Sequence, residues 1–92
     1  STTIETFKFT CTSGQTTFNG NDANGNNLTY NVGSIQVFLN GIRLDASDFV
    51  ASNGSSISLN DPAALDNELI IDVFKYITTN SWGTNQWVMV EK

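Results

Sequence analysis

The 92-residue chain contains no His, one Cys and one Pro. Without imidazole, Ser-His-Asp triads, His general bases and His-ligated zinc are excluded. A single Cys forms neither an internal disulfide nor a thiolate metal cage. Charge is also scarce: 4 basic and 9 acidic side chains give a net charge of −5. Lys8, Arg43, Lys75 and Lys92 are scattered along the chain. Phosphate recognition needs a basic patch or stripe, so neither nucleic acid nor an anionic membrane is an expected partner. Long apolar runs are missing too. Residues 35–39 and 69–74 are the longest stretches, far short of the about 20 that cross a bilayer. The start, Ser1-Thr2-Thr3-Ile4-Glu5, has neither a basic region nor an apolar run, so no signal peptide is expected there. Ser1 fits a chain that has lost its initiator Met, and equally a domain cut from a longer protein.

What is abundant is polar and small: 12 Asn, 11 Thr and 9 Ser residues. A chain of this length makes one small domain, which buries only about 60–65% of its unfolded surface. Period-two alternation dominates and no helical period persists. In residues 5–11, Phe7, Phe9 and Cys11 share one face, with Thr6, Lys8 and Thr10 on the other. That pattern predicts a half-buried strand, with Cys11 as a buried, inert thiol. A turn at Ser13-Gly14-Gln15 leads to a short strand, 16–19, anchored by Phe18. After a polar stretch, 20–26, a returning strand over 27–31 would place Leu28 and Tyr30 on one face. The polar stretch is rich in oxygen ligands, as calcium sites are. However, the EF-hand spacing fails, and Asp22 is its one carboxylate, so it reads as a turn.

The clearest signal is the run Ile35 to Leu44, with Asn40-Gly41 at its centre. Asn-Gly is the preferred pair for a two-residue type I′ hairpin. That loop pairs Leu39 with Ile42 and Val37 with Leu44, all on one face with Ile35. Phe38 and Arg43 pair on the opposite face. A second hairpin spans 48–59 around Asn53-Gly54. A two-residue loop pairs Val50 with Ile57. A three-residue loop pairs Phe49 with Leu59 and Ala51 with Ile57. Burial of Phe49 favours the second register. Asp61-Pro62 looks like an N-cap followed by the first helical position, which predicts one helical turn over 61–65. Residues 68–77 form the last long strand. Leu69, Ile71 and Val73 line one face, and Ile70, Phe74 and Tyr76 interrupt the other. Apolar character on both faces points to a central strand or to a surface that meets a partner.

After Ile77 the composition becomes that of a linker, and 87–90 reads as one more short strand. The expected organisation is a β-sandwich domain over 1–77 and an arm over 78–92. With about seven or eight short strands, the fold class is all-β, a single antiparallel, immunoglobulin-like sandwich. A small closed barrel is the second choice.

The run Ser13-Gly14-Gln15-Thr16-Thr17-Phe18, then 22–28 and Tyr30, then the Asn40-Gly41 hairpin, Asp48-Phe49 and Asn53-Gly54-Ser55-Ser56-Ile57, together resemble a β module of bacteriophage virion proteins. That module recurs in tail fibres and small structural proteins, notably of phages of marine bacteria. The resemblance covers residues 7–76 and rests on the order and spacing of the pieces. It implies a non-enzymatic structural protein of the virion, built in the bacterial cytoplasm. Its role would be capsid decoration, attachment or a tail-fibre module, acting through protein–protein contacts. The implied partners are other virion proteins, either capsid and tail subunits or further copies of the chain. The module brings no catalytic residues and no cofactor.

Candidate sites follow from the aromatic residues and the arm. Trp82, Trp87, Val88, Met89 and Val90 make the arm an expected interface, because Trp anchors interfaces and a terminal strand suits strand addition. An alternative function is a carbohydrate-binding module for host surface glycans, with Tyr30, Phe38, Tyr76 and Trp82 stacking on sugar rings. The competing reading makes the two Tyr residues core edges. Asp45 and Asp48 are a candidate hydrolase carboxylate pair, but they flank a connection, and solvated turn residues are the expected reading. No metal site is expected. The two sequons, at Asn27 and Asn53, are what chance gives in so Asn-, Ser- and Thr-rich a chain.

Overall fold

The computed structural model describes residues 2–76. They form seven strands: β1 (Thr2–Thr10), β2 (Thr17–Asn19), β3 (Ile35–Leu39), β4 (Ile42–Arg43), β5 (Phe49–Val50), β6 (Ser56–Leu59) and β7 (Glu68–Tyr76). One sheet has the order β1-β7-β3-β4 and the other β2-β6-β5, and every pairing is antiparallel. Two separate sheets make this a sandwich and not a closed barrel. Four strands facing three is the count of an immunoglobulin constant-type sandwich. The strand order is different from that fold, since the first and last described strands are neighbours here.

Alternation builds the core. Phe7 and Phe9 of β1, Val37 of β3 and Leu69, Ile71 and Val73 of β7 point inward from the wider sheet. Phe18 of β2 and Ile57 and Leu59 of β6 meet them from the narrower one. The Phe9 and Phe18 rings cross between the sheets edge to face, 5.7 Å apart. Cys11 continues the β1 face into the core, and burial pushes its thiol pKa up. Strand β7 is central, flanked by β1 and β3, as its two apolar faces imply.

Both hairpins take the expected registers. Phe38 faces Arg43 and Leu39 faces Ile42, with Asn40 and Gly41 at φ 51° and 84°. A type I′ turn requires positive φ at both central residues. In the second hairpin Phe49 faces Leu59 and Val50 faces Ser58, the three-residue register. Asn53 builds that loop: its Oδ1 accepts the N–H groups of Ser55 and Ser56, both at 2.9 Å.

Three local expectations are corrected. Residues 27–31 are not a strand. Leu28 and Tyr30 are buried as expected, but this extended segment donates from Leu28 N–H to the Gly20 carbonyl and from Tyr30 N–H to the Gly54 carbonyl. Strand β2 takes β6 as its ladder partner instead. The predicted helical turn over 61–65 does not form either. Ala63 accepts from Gly14 N–H and donates to the Gln15 carbonyl, both across to another turn. Those bonds compete with a local helical turn. The helical turn among the described residues is a 3-10 turn at Ala46–Asp48, where Asp45 and Asp48 form a capping box. Finally, Ile42 shares the parity of the core face yet is 71% exposed. It lies on β4, the outer strand of the sheet that is one strand wider.

The boundary expected at 77–78 and the strand expected at 87–90 lie outside the described residues.

Candidate functional site

The feature with most to offer a partner is the outer face of the four-stranded sheet. Strand parity places Ile4, Thr6, Lys8 and Thr10 of β1 on it, with Glu68, Ile70, Asp72 and Phe74 of β7 and Gln36 and Phe38 of β3. The registers bring apolar residues together on this face. Ile70 lies between Lys8 and Phe38, Phe38 lies next to Arg43, and Phe74 lies next to Ile4. Ile70, Phe74 and Phe38 are half-buried by their neighbours, and Ile4 is 60% exposed. Polar groups divide the face without covering it. The Thr6 hydroxyl donates to Asp72 at 2.8 Å, and the Lys8 ammonium pairs with Glu68 at 3.0 Å.

A cleft lined by Leu39, Leu44, Asp48, Leu59 and Asp61 opens between the sheets near β4, with a volume of about 180 Å³. Drug-sized ligands occupy about 300–1,000 Å³, so this cleft suits at most a small group or water. Asp48 accepts the Asp45 N–H at 3.2 Å, and Asp45 accepts both the N–H and the hydroxyl of Ser47. The two carboxylates therefore cap a turn, as expected. Serine donors hold the Asp45 carboxyl below its ordinary range, first through the Ser47 hydroxyl and then through its N–H.

Asp22, read from the sequence as a turn residue, carries more structure than that. It is the one buried charged side chain among the described residues, 7% exposed. Its carboxylate accepts from the backbone N–H groups of Lys8, Asn24 and Asn26 at 2.9, 3.0 and 2.8 Å. Those donors occupy the oxygens that a cation would need. Among the described residues, no three Cys, Asp or Glu side chains converge on a point.

Of the proposed sugar-stacking residues, Tyr30 is a core residue, 7% exposed, and its hydroxyl donates to the Ser56 carbonyl at 2.6 Å. That bond and the surrounding core leave its ring no free face for a sugar, which corrects the stacking role expected of Tyr30. Phe38 lies on the outer face beside Arg43, and Tyr76 ends β7. Trp82, Trp87, Val88, Met89 and Val90 lie outside the described residues. The apolar character of the outer face is legible in the alternation of residues 68–77. Its extension through Ile4 is not, because the alternation that predicts the first strand begins at residue 5, whereas β1 begins at Thr2. The chain matches no protein-family model, no curated protein and no solved structure.

Proposed function

We propose that this chain is a non-enzymatic structural module of a bacteriophage particle. It is one β-sandwich that works through protein–protein contacts, in capsid decoration, attachment or a tail fibre. The order of the hairpin motifs, which resembles the virion module, supplies the setting. One structural observation carries the mode of action: Phe38, Ile70, Phe74 and Ile4 share the outward face of the wider sheet. An apolar group on an outward sheet face favours a surface that a neighbour completes. The arm, with Trp82, Trp87, Val88, Met89 and Val90, is a second expected contact, and the partners are other proteins of the particle.

Electron microscopy of assembled particles with the protein labelled tests the setting. Density at a defined, repeated position supports the reading, and failure of the labelled chain to join particles rejects it. For the contact mode, Phe74→Lys on the outer face should weaken incorporation about tenfold, the effect of losing roughly 1.4 kcal/mol of contact energy. Undiminished incorporation of Phe74→Lys would remove the outer face from the mechanism.

A further inference from the structure

Among the described strands, β1 is the long edge. The other edge strands, β2, β4 and β5, run 3, 2 and 2 residues, whereas β1 runs 9. Along β1 the backbone groups of alternate residues point to opposite sides. Lys8 shows which side is which. Its carbonyl accepts the Ala23 N–H at 2.7 Å and its N–H donates to Asp22 at 2.9 Å, both away from β7. Thr2, Ile4 and Thr6 have the same parity, so their N–H and C=O groups also face outward. The loop held by Asp22 closes the edge at Lys8. Among the described residues no backbone partner meets the edge over 2–6.

Exposed edges template strand addition unless charge, proline or a covering loop blocks them. Among the described residues no loop covers 2–6, and no charge or proline lies on their outer face. Their sequence, Thr-Thr-Ile-Glu-Thr, is β-branched apart from one Glu. Glu5 lies on the other face, paired with Lys75 at 2.6 Å.

We propose that this edge pairs with the same edge of a second copy, antiparallel about a two-fold axis through Ile4. The segment is complementary to itself, and its one charge selects the register. Centred on Ile4, the pairs are Ile4 with Ile4, Thr3 with Glu5 and Thr2 with Thr6, and all three outward-facing residues find partners. Centring on Glu5 would set two carboxylates directly opposite each other, which is destabilising. Centring on Thr3 pairs only Thr2 with Ile4 among the outward-facing residues over 2–6. In the favoured register the two Asp22 loops stand at the two ends of the paired segment and limit its length. On the outer face, Ile4 joins Phe74 to the same two residues of the partner in one apolar band. The two wider sheets become one continuous sheet. Symmetric closure uses up both edges, so the contact stops at a dimer. The inference stands on the edge geometry and does not depend on the particle setting.

Sedimentation of the full chain from micromolar to millimolar concentration tests the self-association. A concentration-dependent monomer–dimer equilibrium is expected. Ile4→Lys places like charges at the axis, and Thr6→Pro removes an outward N–H that no intrachain ladder uses. Each should weaken the dimer about tenfold or more, with unchanged circular dichroism. The register has its own test. Directly opposed residues that exchange hydrogen bonds lie about 5.5 Å apart at Cα, within the range of a disulfide. Ile4→Cys should therefore give a covalent dimer under mild oxidation, and Thr3→Cys, which faces Glu5 of the second copy, should give far less. A chain that stays monomeric at every concentration overturns the proposal. So does a dimer that survives both Ile4→Lys and Thr6→Pro, or cross-linking as efficient at Thr3 as at Ile4.

Discussion

The Asp22 carboxylate reaches back fourteen residues and accepts the Lys8 N–H at 2.9 Å. It also accepts the N–H groups of Asn24 and Asn26, while Ala23 N–H donates to the Lys8 carbonyl at 2.7 Å. A single side chain thus shapes its own loop and fastens that loop to the edge of β1. Asp22→Ala leaves these donors without their acceptor, and the Lys8 N–H sits at a packed edge. The expected cost is about 2–3 kcal/mol. Urea titration reads it as a lower midpoint with an unchanged slope. A midpoint within error of the parent would show that the loop holds without its carboxylate.

The same bonds set the acid response. Burial raises the Asp22 pKa, but the N–H donors of Lys8, Asn26 and Asn24 outweigh it and hold the group below its ordinary value of 3.8. Asp45, capped by Ser47, is lowered as well. A depressed carboxylate binds protons less readily in the folded chain than in the unfolded one, so acid favours unfolding. Its contribution is fully present above 3.8 and fades as pH falls through the lower, folded pKa. Urea midpoints from about pH 5 to about pH 2 should fall steeply below the ordinary carboxylate range. Asp22→Asn, whose side chain does not titrate, should flatten that fall. An equally steep fall in Asp22→Asn would move the acid sensitivity elsewhere.

Local chemistry explains which parts of this fold could be read from the chain. Asn40-Gly41 and Asn53-Gly54 carry their own turn geometry, so both hairpins and the inward faces of Phe7, Val37 and Ile71 were legible. Expectation and structure differ where a distant backbone supplies the partner. Tyr30 bonds to Gly54 and Ala63 to Gly14 and Gln15, and neither contact leaves a trace in the alternation of residues 27–31 or the cap-like Asp61-Pro62. In the sequence Asp22 is one polar turn residue among many, because burial of a carboxylate depends on where Lys8 lies. The outer face was half visible. Both sides of residues 68–77 are apolar, but the role of Ile4 needed the register of β1 on β7.

Two glycines with nearly the same backbone angle should respond differently to a methyl group. Gly41, at φ 84°, faces open space. Gly54, at φ 82°, would place a Cβ 3.0 Å from the Tyr30 carbonyl oxygen, beside the bond from Tyr30 N–H to Gly54. Gly41→Ala incurs only the left-handed backbone penalty, about 1 kcal/mol. Gly54→Ala adds a clash between two backbone segments that cannot rotate away, for a total of about 2–3 kcal/mol. Thermal or urea unfolding should rank them in that order. Equal losses would mean that the segment at Tyr30 shifts freely.

Ile42 and Ile71 separate strand parity from burial. Both lie on the inward parity of the wider sheet, and both looked like core residues in the sequence. Ile71 is fully buried, with Phe7 and Val37 beside it on neighbouring strands. Ile42 is 71% exposed on the outer strand. Ile71→Ala should cost about 2–5 kcal/mol, a large share of a small domain's stability. Ile71→Val, at about 0.5–1.5 kcal/mol, keeps the comparison measurable if the alanine variant fails to fold. Ile42→Ala should change stability by no more than about 0.5 kcal/mol. Urea midpoints at low protein concentration, where any dimer has dissociated, give each value for the single chain. A loss at Ile42 matching that at Ile71 would mean that a group outside residues 2–76 covers it, since among the described residues no strand lies beyond β4.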